Sequence, residues 1–204
     1  MNPLMRRAVL TFSKRNRARK AAWVARFMAE NDVRTAIFVG CSPGRNSNEG
    51  IVERAVAERA DVLAACDVLN STVPWPFVLA DGRAMPFRTS GTDMVLANAV
   101  IEHVGGLEDQ LKFVAEQTRV GRMWVITTPN RWFPIESHTS VVVRHWSKSW
   151  RSGRGEFTRL LSRREFSNLL PPSAVIHGRP WSATFTATYC GDSHPSPAAA
   201  HRAQ

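Results

Sequence analysis

The sequence predicts an α/β protein with a doubly wound parallel sheet, on three observations. Short apolar runs recur along the chain and stop in glycine or aspartate, helical patterns separate them, and a β-branched and aromatic alternation closes the ordered part. The first run, 35–39, is apolar without polar alternation, as a strand covered on both faces requires, and it ends in Gly40-Cys41-Ser42-Pro43-Gly44. Glycines at 40 and 44 permit positive φ and let backbone approach a ligand closely. Asn46 to Glu49 supply an N-cap with a carboxylate three residues on, and Ile51, Val52, Ala55 and Val56 follow at helical spacing. Strand, glycine turn and helix make the first unit, with Gly40, Cys41, Ser42 and Gly44 as its ligand loop.

A second run, 61–67, ends in Asp67, which in a doubly wound sheet faces a ribose and accepts from both hydroxyls. A third, 77–80, ends in Asp81-Gly82; here the carboxylate is placed to accept from an exocyclic amine such as that of adenine, with Gly82 leaving room for the ring. The run 93–104 is a fourth strand passing into polar residues, and Gly105-Gly106 releases a helix whose inner face reads as Leu107, Leu111, Val114, Ala115 and Thr118. Residues 123–128 form the fifth strand, stopped by Pro129-Asn130. This alternation calls for right-handed crossovers. Ser162 and Glu165 spell a capping box before Phe166, Leu169 and Leu170, and 174–178 and 184–189 read as a closing pair of strands.

With 204 residues, 44% of them hydrophobic, the chain is long enough for one well-buried domain. The expected division is a basic N-terminal segment 1–20, a domain over 21–191 with a lid or acceptor-side segment at about 131–159, and a disordered tail 192–204. The helix ahead of the first strand is expected from residue 21 to 31, with Ala22, Phe27 and Met28 inward. The net charge of +10 divides into +7 over 1–35, −3 over 36–141 and +6 over 142–204. Basic character therefore lies in the flanks, which argues against a nucleic-acid groove across the core and leaves the N-terminal segment as a frayed, solvated end or a contact for polyanions or anionic membrane. Cys41, Cys66 and Cys190 offer neither a C-x-x-C pair nor a zinc spacing, so no metal is expected and a reducing cytoplasm is the natural setting. No apolar run has the length of a membrane span. G-x-G-x-x-G and G-K-[ST] are both absent, which counts against a dehydrogenase and a phosphate-loop nucleotidase.

Gly40 to Gly44, Asp67, Asp81-Gly82 with Met85-Pro86-Phe87, the run from Asp93 to His103 and Thr128-Pro129-Asn130, in this order, resemble the class I S-adenosylmethionine-dependent methyltransferases with the type 11 methyltransferase domain. The resemblance implies a Rossmann-like sheet of seven strands with the last antiparallel, and S-adenosylmethionine lying across the carboxyl ends of strands one to four. It implies that Gly40 and Gly44 pass backbone against the donor's amino-acid and ribose portions, and that Asn98 and His103 border the transferring methyl. The sequence departs from the family pattern where Phe38 replaces an acid and Ser42 a glycine, both at the methionine end of the donor. Methyl transfer needs a base only if the acceptor must lose a proton; His103 and His138 are the candidates, with His145 beside them and Glu136 able to orient one. The expected acceptor is a small molecule or a lipid- or sugar-linked group. RNA methylation and a non-catalytic binding module are the alternatives, the former weakened by the lack of an Asn/Asp-Pro-Pro-aromatic element at Asn98.

Overall fold

The computed structural model describes residues 3–41, 50–134 and 158–191. In chain order the elements are α1 (Pro3–Glu30), β1 (Thr35–Val39), α2 (Ile51–Ala57), β2 (Asp61–Asp67), β3 (Phe77–Leu79), β4 (Thr92–Asn98), a 3₁₀ turn (Ile101–His103), α3 (Leu107–Val120), β5 (Gly121–Pro129), α4 (Arg163–Leu169), β6 (Val175–His177) and β7 (Thr184–Cys190). The strands form one seven-stranded sheet in the order β3-β2-β1-β4-β5-β7-β6. Strands β1 to β5 pair in parallel, while β7 runs antiparallel to both β5 and β6. The sheet has the seven strands and the antiparallel last strand that the sequence led us to expect. Its winding reverses between β1 and β4, which opens a crevice at their carboxyl ends.

Strand periodicity sorts the core into two layers. Ile37, Val39, Val95, Ala97, Trp124 and Ile126 face α3 and α4, where Phe113, Phe166 and Leu169 complete one cluster. Ala36, Phe38, Met94, Leu96, Met123 and Val125 face α1 and α2 and meet Val24, Phe27, Met28, Val52 and Val56.

Three local expectations change. The first helix begins at Pro3 rather than near residue 21, so the basic stretch is helical instead of frayed, and Ala21 rather than Ala22 turns inward. Helix α2 starts at Ile51 behind Gly50, whose φ of 70° is left-handed; Asn46 to Glu49, expected to cap it, lie outside the described residues. The buried face of α3 is Gln110, Phe113, Val114, Gln117 and Val120, with Leu107 and Leu111 exposed. Two glutamines can sit inward because their amides find backbone partners: Gln110 Nε2 donates to the Ile101 carbonyl at 2.8 Å, and Gln117 Nε2 to those of Gly82 at 2.8 Å and Phe113 at 2.9 Å.

The capping box forms as read: Ser162 Oγ accepts from the Glu165 N–H, and Glu165 Oε2 accepts from the Ser162 N–H at 2.9 Å. Arg131 and Arg159 also reach the Glu165 carboxylate, which ties α4 to the chain leaving β5.

Candidate active site

Gly40 ends β1 with φ of 75°, and its N–H donates to the Cys66 carbonyl at 2.8 Å. A Cβ there would overlap the Val100 side chain, so only glycine lets β1 turn against the segment that follows β4. Cys41 is buried, and burial pushes its thiol far above the ordinary range, which keeps it protonated and unreactive. The same cause pushes Cys66 up to about 12, and its thiol rests on Met85 Sδ at 3.7 Å. Ser42 and Gly44 lie outside the described residues, as do His138, Glu136 and His145.

Asp67 stands at the carboxyl end of β2, half-buried, with one local bond in which Oδ1 accepts from the Leu69 N–H at 3.0 Å. The rest of its accepting capacity is not spent on a partner among the described residues.

Asp81 follows β3, and its carboxylate is engaged by Arg83. Arg83 Nε lies 3.0 Å from both carboxylate oxygens, Nη2 lies 2.6 Å from Oδ2, and Nη1 crosses to Asp109 at 2.6 Å. The bidentate pairing holds Asp81 below the usual carboxylate range. Asp81 therefore anchors the β3 connection to the start of α3. Arg83→Met should return the Asp81 pKa toward the ordinary carboxylate range in a carboxyl NMR titration. The sign follows from linkage: a lowered folded pKa adds stability above the unfolded value, and that gain is lost as pH falls through the folded one. Acid unfolding of Arg83→Met should accordingly show a shallower dependence on pH.

Gly82 is required for packing: a Cβ would come within 2.7 Å of the Phe113 ring and 2.9 Å of Val39. This accounts for its lack of a side chain without a ligand ring.

At the end of β4, Asn98 is the hub of a polar group that sequence reasoning did not assemble. Its Oδ1 accepts from Lys20 Nζ at 2.9 Å and from Thr127 Oγ1 at 2.8 Å, while its Nδ2 donates to Glu53 Oε1 at 2.9 Å. Thr127 Oγ1 in turn accepts from Lys20 Nζ at 3.2 Å and from the Ala99 N–H at 3.1 Å. Ala99 holds φ of 61°, unusual for a side-chain-bearing residue and a local strain at the crevice. Nearby, Glu102 is fully buried and accepts from Thr128 Oγ1 at 3.1 Å.

Burial pushes the Lys20 ammonium down to about 8, with Glu53 and Glu102 only partly offsetting the loss of water and Arg17 adding to it. A signal for Lys20 was present in the sequence: it lies four residues before Val24 and eight before Met28, on the inner face of α1. Glu53, adjacent to the buried Val52, carries no comparable mark.

His103 ends the 3₁₀ turn and is exposed, with Nδ1 3.4 Å from Thr158 Oγ1. Helix α1 crosses above this edge of the sheet: Asn16 reaches Thr184 at the start of β7, and the Phe12 ring stacks on Phe133 at 5.6 Å. Among the described residues, no group of three or more His, Cys, Asp or Glu is arranged to hold a metal ion, and no helix is long and apolar enough to cross a membrane.

A seven-stranded sheet of this order, with a glycine turn after β1, an acid closing β2 and a polar hub closing β4, is a Rossmann-like architecture whose polar groups gather at the carboxyl edge of the strands. Residues 39–123 match the family model of a methyltransferase domain, type 11. Over that stretch the chain is similar to the type 11 methyltransferase domain.

Solved structures share the fold. A S-adenosylmethionine-dependent methyltransferase from Clostridium acetobutylicum is 9% identical with a TM-score of 0.57, over 84% of this chain and 90% of its own. One from Archaeoglobus fulgidus is 11% identical with a TM-score of 0.56, over 84% and 93%. A Rhodobacter sphaeroides protein described as a putative zinc-dependent alcohol dehydrogenase is 14% identical with a TM-score of 0.53, over 82% and 88%. At such identities the likeness is one of fold alone. No curated protein matches the chain in sequence.

Proposed function

We propose that this chain transfers the methyl group of S-adenosylmethionine to a small-molecule or lipid- or sugar-linked acceptor. The observation that carries the donor assignment is the row Gly40, Asp67 and Asn98 along the carboxyl edge of β1, β2 and β4, astride the point where the winding reverses. The residues fit such a ligand: Asp67 retains accepting capacity, and Glu53 keeps a buried oxygen without a partner.

When bound, the donor supplies an electrophilic sulfonium methyl. The protein's share of the work is alignment of the acceptor and exclusion of water. His103 is the base available among the described residues at the end of β4 for an acceptor that must lose a proton.

The acceptor reading draws on the rim. Phe12, Trp132 and Trp181 are exposed, Arg179 lies 5.7 Å above the Trp181 ring, and Arg7, Lys14, Arg15 and Arg19 are exposed along α1. Apolar rings beside cations suit an acceptor with an apolar body and an anionic linkage, or a peripheral contact with anionic lipid. The free thiols of Cys41, Cys66 and Cys190 fit a cytoplasmic setting. The segment at about 131–159, expected as a lid or acceptor-side segment, lies largely outside the described residues.

The test is transfer of labelled methyl from S-adenosylmethionine into a host-cell extract, partitioned between organic, aqueous and RNA fractions. Label in the organic or small-molecule fraction is expected. Label confined to RNA, with affinity falling steeply as salt rises, would establish the basic flanks as an RNA contact instead.

A further inference from the structure

Lys20 of α1, Glu53 of α2, Asn98 at the end of β4 and Thr127 of β5 meet on the α1/α2 face of the crevice, and their hydrogen-bonding capacity does not close. Asn98 uses both ends of its amide, and Thr127 both donates and accepts. Lys20 has three N–H groups and spends two. Glu53 spends Oε1 on Asn98, while its Oε2 is buried with no partner. An unmet buried carboxylate oxygen is costly, on the order of 1–3 kcal/mol or more. One donor and one acceptor of opposite charge are thus left open in the same pocket.

A zwitterionic α-amino acid presents the complement to that pair: an ammonium that donates and a carboxylate that accepts. We propose that Lys20 and Glu53 form a charge clamp for the amino-acid end of the methyl donor, Lys20 taking its α-carboxylate and Glu53 its α-ammonium, with Asn98 and Thr127 holding the two side chains in register. The inference rests on the donor assignment made above. It also accounts for Phe38. That side chain is fully buried, edge-on to Trp75 at 4.9 Å, so strand β1 offers no carboxylate to the crevice from this position, and α2 supplies one in its place. Burial lowers the Lys20 ammonium against the pull of Glu53 and Glu102, and an incoming carboxylate would favour its charged form further.

Calorimetry on the full chain with S-adenosylhomocysteine and with 5′-methylthioadenosine separates the clamp from the rest of the site, because the second ligand keeps the nucleoside and sulfur but lacks the amino acid. The wild type should prefer S-adenosylhomocysteine by about 100-fold or more, as two charge-assisted contacts imply. Lys20→Met and Glu53→Gln should each lower S-adenosylhomocysteine affinity at least about tenfold and leave methylthioadenosine within about twofold, with Lys20→Arg recovering part of the loss. Both variants keep the shape of the side chain they replace, and circular dichroism with a thermal melt checks that the fold survives; Lys20→Arg keeps the charge and tests the clamp where Lys20→Met does not fold. Equal wild-type affinity for the two ligands, or an unchanged preference in both variants, would overturn the clamp while leaving the donor site standing. Wild-type protein that binds neither ligand would overturn the donor assignment and the clamp with it.

Discussion

Asp67→Ala is expected to reduce affinity for S-adenosylmethionine by about 100- to 1,000-fold. The carboxylate closes β2 and makes one bond within the protein, to the Leu69 N–H, so most of its capacity is open to a ligand. Two hydrogen bonds from ribose hydroxyls to a half-buried carboxylate, each worth roughly 1.5–2 kcal/mol at the lower end for a charged acceptor, compound to that range. The fold should barely respond, because the side chain supports only a local turn. Calorimetry against the donor, paired with a thermal melt, checks both halves. An affinity within a factor of three of wild type would remove Asp67 from the ribose role.

Phe38→Asp is the second large effect, and its direction runs against the family pattern. Restoring the missing acid looks like a repair when only the sequence is read. In the folded chain, however, Phe38 is fully buried between β2 and β4 and packs edge-on against Trp75. Removing a buried phenylalanine costs about 3–5 kcal/mol, and an unpaired carboxylate in the same place adds several more. That total rivals the roughly 5–15 kcal/mol that holds a domain together. The variant should lose its cooperative melt or shift it down by well over 10 °C, at about 2–4 °C per kcal/mol for a chain of this size. A folded Phe38→Asp protein with improved donor affinity would show that the position still faces the ligand.

These two residues mark how far the sequence can be read. That Asp67 closes β2 was legible because the signal is local: an apolar run of strand length stops in a carboxylate. Phe38 was misleading because the pattern records which residue type is missing, not where its replacement points. Gly82 is similar. The sequence reading left it as space for a ligand ring, whereas Phe113 and Val39 already fill that space.

What the sequence by itself determined are the features set within a few residues of chain. The apolar runs that became the strands, the glycine turn at Gly40, the capping box of Ser162 and Glu165 and the acid closing β2 all follow from backbone sterics, strand periodicity and short-range hydrogen bonds. Tertiary structure alone decided which face of α3 turns inward, since Gln110 and Gln117 are buried through carbonyls of Ile101 and Gly82 that are distant in sequence or on another element. It also decided the polar hub. Lys20, Glu53, Asn98 and Thr127 come from four elements spread over more than a hundred residues, and no local pattern reports that a lysine on one helix will share an amide oxygen with a strand 78 residues away. Contacts of that separation are set by the order in which strands pair, so the hub became visible only once the sheet was assembled.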